Sequence, residues 1–179
     1  MFRSPLLKYL LLQKKSVEDL LWLLVFILPA YFANSSPVIF GGGTPMDFGK
    51  RAWDRRRCLG DGKTWRGFIA GTAIGTLVGI AEAGLLGSNE YIAYGFLLSF
   101  GALAGDAFGS FLKRRLGMDR GSPMFIMDQL PFLFFALFLA SSAYLPSPEG
   151  IVLLALLTYA LHVSTNFVAN RLGLKRVPW

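Results

Sequence analysis

Five stretches of this chain stay apolar for about 20 residues, the length a helix needs to cross the hydrocarbon core of a bilayer. They run over 20–40, 67–87, 91–112, 127–145 and 151–169. Irregular chain or an open sheet edge would expose backbone N–H and C=O groups that lipid cannot satisfy, so the blocks are read as helices. The expected fold is all-α: a polytopic, single integral membrane domain over residues 1–179, with long charged loops at 41–66 and 113–126. Composition agrees, with 54% hydrophobic and 16% charged residues, against about 25% charged in soluble domains. A soluble enzyme is excluded on this ground, and no nucleic-acid partner is expected. Cys58 is the single cysteine, which rules out a disulfide within the chain. Arg3, Lys8, Lys14 and Lys15 are spread over the first segment with no small-residue cleavage site after them, so no cleavable signal peptide is expected.

The basic residues choose an orientation. The first loop, the second loop and the C-terminal tail all fall on one side and hold fourteen of the 18 Lys and Arg residues. Cytoplasmic segments carry such an excess, so both loops and the C-terminus are expected inside and the N-terminus outside, in a cell membrane. Residues Leu6 to Leu12, followed by Gln13, Lys14 and Lys15, suggest a separate helix lying in the interface.

Small residues recur every four positions in two spans: Gly67, Gly71, Gly75, Gly79, Ala83 and Gly87 in the second, and Gly101, Gly105 and Gly109 in the third. Residues four apart share a helix face, and bare faces of this kind let neighbouring backbones approach closely. The fifth span has a polar stripe at the same spacing, Thr158, His162, Asn166 and Asn170. It reads either as hydrogen bonding between helices or as the lining of a cavity. Glu82, toward the outer end of the second span, reads either as a packing group or as a functional one.

Asp106 is a charge inside a span, and such charges mark function by default. It lies about 22 Å along its helix at 1.5 Å per residue, toward the cytoplasmic side. Ser110 and Lys113 follow on the same face, and Asp128 stands where the next helix enters the membrane. Two carboxylates at matching depth suit magnesium, which takes one or two carboxylates plus phosphate oxygens. The alternative is that they are ion-pair partners for Lys113 and Arg114. In the first loop, Leu59 to Gly67 reads LGDGKTWRG. Its Gly62-Lys63-Thr64 matches the end of a phosphate-binding P-loop, but Arg57 stands where that motif needs its first glycine, and the chain has no room for the parallel sheet beneath it. Glycines interleaved with cations, just before a helix N-terminus, still describe a polyphosphate site at a membrane surface.

Three runs carry a resemblance: PVIFGGGTPMDFGK (Pro37 to Lys50), RRRCLGDGKTWRG (Arg55 to Gly67) and GDAFGSFLKRRLGMDRGSPMFIMDQ (Gly105 to Gln129). Together they cover 52 of the 179 residues and resemble the archaeal CDP-archaeol synthases. These are CTP-dependent cytidylyltransferases acting on unsaturated archaetidic acid, an isoprenoid ether-lipid phosphate, and are similar to the CDP-diacylglycerol synthases. Gly105-Asp106, Ser110 and Lys113-Arg114 match motif positions of the wider superfamily, and the later aspartate matches Asp128. The His-Gly-Gly run that precedes this aspartate in the diacylglycerol enzymes is absent here, so the match is closer at Asp106. Asp119 has no assigned role.

The resemblance implies CMP transfer from CTP to the lipid phosphate with release of pyrophosphate, in phospholipid biosynthesis. Asp106 and Asp128 are then expected to hold Mg2+. Arg56, Arg57, Asp61, Gly62, Lys63, Thr64 and Arg66 are expected at the nucleotide, Ser110 and Arg120 at the lipid phosphate, and Lys113 and Arg114 as catalytic cations. A phosphomonoester with a second pKa near 6 is already an anionic nucleophile at neutral pH and needs no general base. This agrees with a single histidine, His162, expected far from the basic loops. The competing readings are a small transporter, a nucleotide-dependent lipid kinase and a CDP-alcohol phosphotransferase. The chain lacks the D-G-x2-A-R pattern of the last and the inverted repeat common in transporters.

Overall fold

The computed structural model describes residues 5–119, 122, 124–142 and 144–174, with side chains from residue 20 onward except at 125–127 and 129. Five helices follow one another: α1 (Pro5–Phe40), α2 (Trp65–Leu86), α3 (Glu90–Arg115), α4 (Phe125–Ala140) and α5 (Pro148–Arg171). α1, α2, α3 and α5 each contain a stretch long and apolar enough to cross a membrane, and α4 is a shorter apolar helix. The chain alternates direction, so the C-terminal ends of α1, α3 and α5 meet the N-terminal ends of α2 and α4 at one end of the bundle. Their exposed faces carry large apolar side chains such as Leu77, Leu85, Phe134, Phe138 and Leu156. A surface of that kind belongs in lipid, and the five-helix, multi-pass expectation stands.

Two boundaries differ from expectation. α1 runs unbroken from Pro5 instead of forming a separate interfacial helix at Leu6 to Leu12. No Gly or Pro occurs between Leu6 and Leu28 to stop it. The fourth apolar block, expected to 145, stops being helical at Ala140, where Ser141 turns back and donates through Oγ to the Phe138 carbonyl at 2.7 Å. At its other end the helix begins at Phe125, and α3 absorbs Lys113 to Arg115, which shortens the second loop from both sides.

α3 is the axis of the bundle, packed against α1, α2 and α4, while α5 packs more loosely, against α4 and α1. The core joins Phe26, Ile27 and Ala30 of α1 to Leu98 and Ala102 of α3 and to Phe132 and Ala136 of α4. Lipid tails are as apolar as these side chains, so close backbone packing, rather than escape from water, must hold the helices together. The glycine stripes provide it. A Cβ on Gly79 would lie 2.5 Å from the Tyr91 carbonyl oxygen and 2.7 Å from the Cα of Gly95. One on Gly105 would lie 2.1 Å from the Pro131 carbonyl oxygen of α4. On α2, a Cβ at Gly71 would meet the Ala33 carbonyl of α1 at 2.6 Å. Between these contacts Ser99 of α3, fully buried, donates through Oγ to its own helix at Gly95 and lies 3.3 Å from the carbonyl of Pro29 in α1.

Gly79→Ala puts a methyl group against backbone that cannot step aside, and should destabilise the bundle by about 1–3 kcal/mol. Gly84→Ala, on the same helix with nothing within 4 Å of its Cβ, should change stability by less than about 1 kcal/mol. Thermal unfolding of the two purified variants in one detergent checks the contrast.

Candidate active site

The loop joining α1 to α2 is folded around a single carboxylate. Asp47, its side chain 2% exposed, accepts from the backbone N–H of Gly49 (3.1 Å), Leu59 (2.9 Å) and Gly60 (3.0 Å). The Arg57 guanidinium adds bonds of 3.2 Å from Nε and 2.7 Å from Nη2. Burial pushes the Asp47 carboxyl up, but the Arg57 guanidinium and the three backbone donors outweigh it and hold the group far below the usual carboxylate range. Asp47 with Gly49 forms an Asx turn, the local signal in the sequence for this role. Gly60 sits at φ 89°, a left-handed conformation that a side chain would strain, and this aims its N–H at Asp47.

Backbone bonds close the loop over this hub. Met46 N–H donates to Lys63 O at 2.8 Å and Trp65 N–H to Thr44 O at 3.1 Å, which draws the Gly-Lys-Thr segment against the end of α1. Thr64 caps α2 by accepting from Gly67 N–H at 3.2 Å. Arg115, the last residue of α3, ties the loop to the bundle through Asp54 (2.7 Å) and the carbonyl of Arg57 (2.6 Å). Neither Asp47 nor Arg115 was among the expected site residues.

At this end of the bundle the helices enclose an open cavity of about 1100 Å³. Asp61, Gly62, Lys63 and Thr64 of the loop line it, with Asp106, Ser110, Lys113 and Arg114 of α3 and Asp128 of α4. These residues were expected to act together, and the fold brings them together. The Lys63 ammonium donates to Asp106 Oδ2, linking loop to α3, and the Lys113 ammonium donates to Asp128 Oδ1, linking α3 to α4. Asp128 Oδ2 also accepts from Met124 N–H at 3.0 Å and so caps its own helix.

The other expected residues lie elsewhere. Arg57 points into the loop, pairing with Asp61 at 2.8 Å as well as with Asp47. Arg56 and Arg66 are exposed, and neither is among the described residues that line the cavity. Arg120 falls outside the described residues.

His162 departs from expectation: it lines this same cavity, across from the basic loop. The polar stripe of α5 in fact does both jobs open to it. Thr158 is buried and hydrogen-bonds Tyr31 of α1 at 3.0 Å, whereas His162 and Asn166 border the cavity. Their distance in sequence from the loop concealed this, because α5 lies antiparallel to α4 and returns its C-terminal half to the loop end.

The Asp47 hub generates a pH dependence. Its carboxyl is lowered on folding, so the stabilisation is present above the ordinary value of 3.8 and is lost as pH falls below it. Limited proteolysis of the loop should therefore accelerate below about pH 4 in the wild type. Asp47→Asn should be cut readily at every pH and be less stable by about 2 kcal/mol or more.

Comparison with known proteins gives a consistent result. The CarS-like family model, described as CDP-archaeol synthase, matches residues 17–179. The CDP-archaeol synthase of Methanopyrus kandleri is 52% identical over 156 residues, covering 86% of this chain and 90% of that protein. That of Thermococcus kodakarensis is 50% identical over 169 residues, covering 91% and 98%. A solved structure, of an intramembrane enzyme for archaeal membrane lipid biosynthesis, superposes with a TM-score of 0.76 at 41% identity, covering 80% of this chain and 91% of that one. Sequence, helix order and overall shape thus agree along nearly the whole length, and the chain belongs to the CDP-archaeol synthase family.

Proposed function

We propose that the cavity binds CTP and the phosphate of an unsaturated archaeal ether lipid side by side, and that CMP passes from one to the other with release of pyrophosphate. Membership of the family makes the chain a membrane CTP-dependent nucleotidyltransferase that makes CDP-archaeol. The observation that carries the residue-level reading is the meeting of the Lys63–Asp106 and Lys113–Asp128 pairs in one cavity between loop and helices.

The lipid phosphate is already an anion near neutral pH, so the protein has to position two anions and offset their charge rather than remove a proton. Lys63, beside the α2 N-terminus, and Lys113 with Arg114 supply cations on either side of the phosphate chain. The Lys63 and Lys113 ammonium groups neutralise the two carboxylates. Turned to phosphate oxygens of a bound nucleotide, they would leave Asp106 and Asp128 free to hold a divalent cation. The donor set would suit Mg2+: Asp106 and Asp128 line one cavity, Asp106 Oδ1 accepts no hydrogen bond among the described residues, and phosphate oxygens would have to supply the remaining ligands. When bound, the metal orients the triphosphate and stabilises the leaving pyrophosphate. Asp128, held by Lys113, would be available to such a metal only where Lys113 turned to phosphate instead. Arg57 acts at one remove, holding Asp61 and the loop in place. Ser110 faces the same cavity, close to where the lipid phosphate meets Lys113. Val38, Ile39, Val168 and Leu172 form an apolar part of the wall, suited to the lipid chains.

CTP is cytosolic in this reading, so the site end of the bundle faces the cytoplasm, the C-terminus is inside and the N-terminus outside. The charge of the loops supports it.

Purified protein given labelled CTP, Mg2+ and the lipid phosphate should yield lipid-linked CMP and pyrophosphate. Label from the γ-phosphate on the lipid would make it a kinase instead. Asp106→Asn should lower turnover by at least about 100-fold while the protein still elutes and melts as folded. Lys63→Met should mainly raise the KM for CTP, and an unchanged KM would remove Lys63 from the nucleotide.

A further inference from the structure

The first loop carries seven cations and three carboxylates, and the structure uses all three carboxylates internally. Asp47 and Asp61 are held by Arg57, and Asp54 by Arg115. Lys63 is taken by Asp106. Lys50, Arg51, Arg55, Arg56 and Arg66 are left exposed, and among the described residues none of them has a carboxylate within 4.0 Å. None lines the cavity either, so the reaction does not account for them.

Most of this charge sits on a small hairpin. Cys58 N–H donates to Lys50 O at 3.0 Å and Ala52 N–H to Arg56 O at 2.9 Å, with Trp53 to Arg55 at the tip. Arg55 takes a left-handed φ of 61°, which glycine or asparagine would adopt at less cost. Trp53 beside it is 81% exposed. One edge of its ring rests on Phe111, with centroids 6.2 Å apart, and the Arg115 guanidinium stacks at 5.3 Å. Those two residues belong to the last turns of α3, so the tip stands at the depth where the helix leaves the hydrocarbon. Phe48, 63% exposed, flanks the hairpin near the start of α2. An aromatic ring at the interface, surrounded by cations without counter-ions, matches the chemistry of phosphate-bearing lipid headgroups.

We propose that the hairpin 48–57 is a docking surface for anionic phospholipid: Trp53 enters the headgroup layer, and Lys50, Arg51 and Arg55 bind lipid phosphates of the leaflet at the site end. The hairpin joins the loop that carries Lys63, so it enriches anionic lipid beside the cavity. That consequence rests on the reading that the acceptor is a lipid phosphate; the docking itself does not.

The test uses the full chain in vesicles of phosphatidylcholine or phosphatidylglycerol with brominated acyl chains, without CTP. The Trp53 signal is isolated as the difference between wild type and Trp53→Phe. Brominated phosphatidylglycerol should quench it more strongly than the neutral lipid. That preference should fall about fivefold or more in Lys50→Gln/Arg51→Gln/Arg55→Gln, and also at about 1 M salt, where the Debye length is about 3 Å. Arg55→Gln alone, whose guanidinium makes no hydrogen bond among the described residues, should show a smaller loss in the same direction. A Trp53 signal quenched by aqueous iodide and not by brominated lipid overturns the proposal, as does a triple variant that keeps the preference. With CTP and lipid phosphate supplied, the triple variant should raise the apparent KM for the lipid and leave kcat unchanged. Absence of CDP-lipid from the wild type would strike the proposed reaction and leave the quenching result standing.

Discussion

Close backbone contact along α3 is the constraint on which the remainder of this structure depends. Gly95 lets α2 approach on one face, and Gly101 and Gly105 let α4 approach on another, with Cβ positions that would fall within 3 Å of neighbouring backbone. In lipid no hydrophobic force would draw those helices together across a gap, so packing must come from contact itself. The same helix carries Asp106, Lys113 and Arg115. Pinning α3 therefore also places the carboxylate, the cation and the tie that holds the loop.

Charge is distributed over this frame by function. Three half-buried ion pairs each join two elements: Lys63 with Asp106 between loop and α3, Lys113 with Asp128 between α3 and α4, Arg115 with Asp54 between α3 and loop. Breaking such a pair leaves a charge uncompensated in a poorly solvated place, which makes these contacts strict about geometry. The loop around Asp47 follows the same logic with backbone donors. A carboxylate that accepts from three N–H groups and one guanidinium does the work that a sheet would do in a soluble phosphate-binding fold.

Much was legible in the sequence because the membrane restricts the choices so heavily. Apolar length identified the helices, and four-residue glycine spacing identified the packing faces. Lys63, Asp106, Lys113 and Asp128 were recognisable because ions in or beside an apolar span are costly without a task. What was not legible were relations between distant segments. Arg57 looked like a phosphate ligand, but its partner Asp47 lies ten residues upstream and is brought near only by the loop's turns. His162 looked remote, and the antiparallel return of α5 sets it on the cavity wall. The end of α4 was missed because the apolar residues continue past Ala140, while the turn there depends on local bonds rather than on hydropathy.

By itself, the order of residues determined an all-helical membrane protein, the family it belongs to, and the end of the bundle where cations and carboxylates gather. Those properties follow from solvation and periodicity, which act residue by residue. The tertiary structure alone decided which cation meets which carboxylate, that Arg57 and Arg115 brace the loop, that α5 completes the cavity, and that five cations of the first loop are left facing outward. Each of these depends on distances between segments, and only the packing of backbone against backbone at the glycines sets those distances.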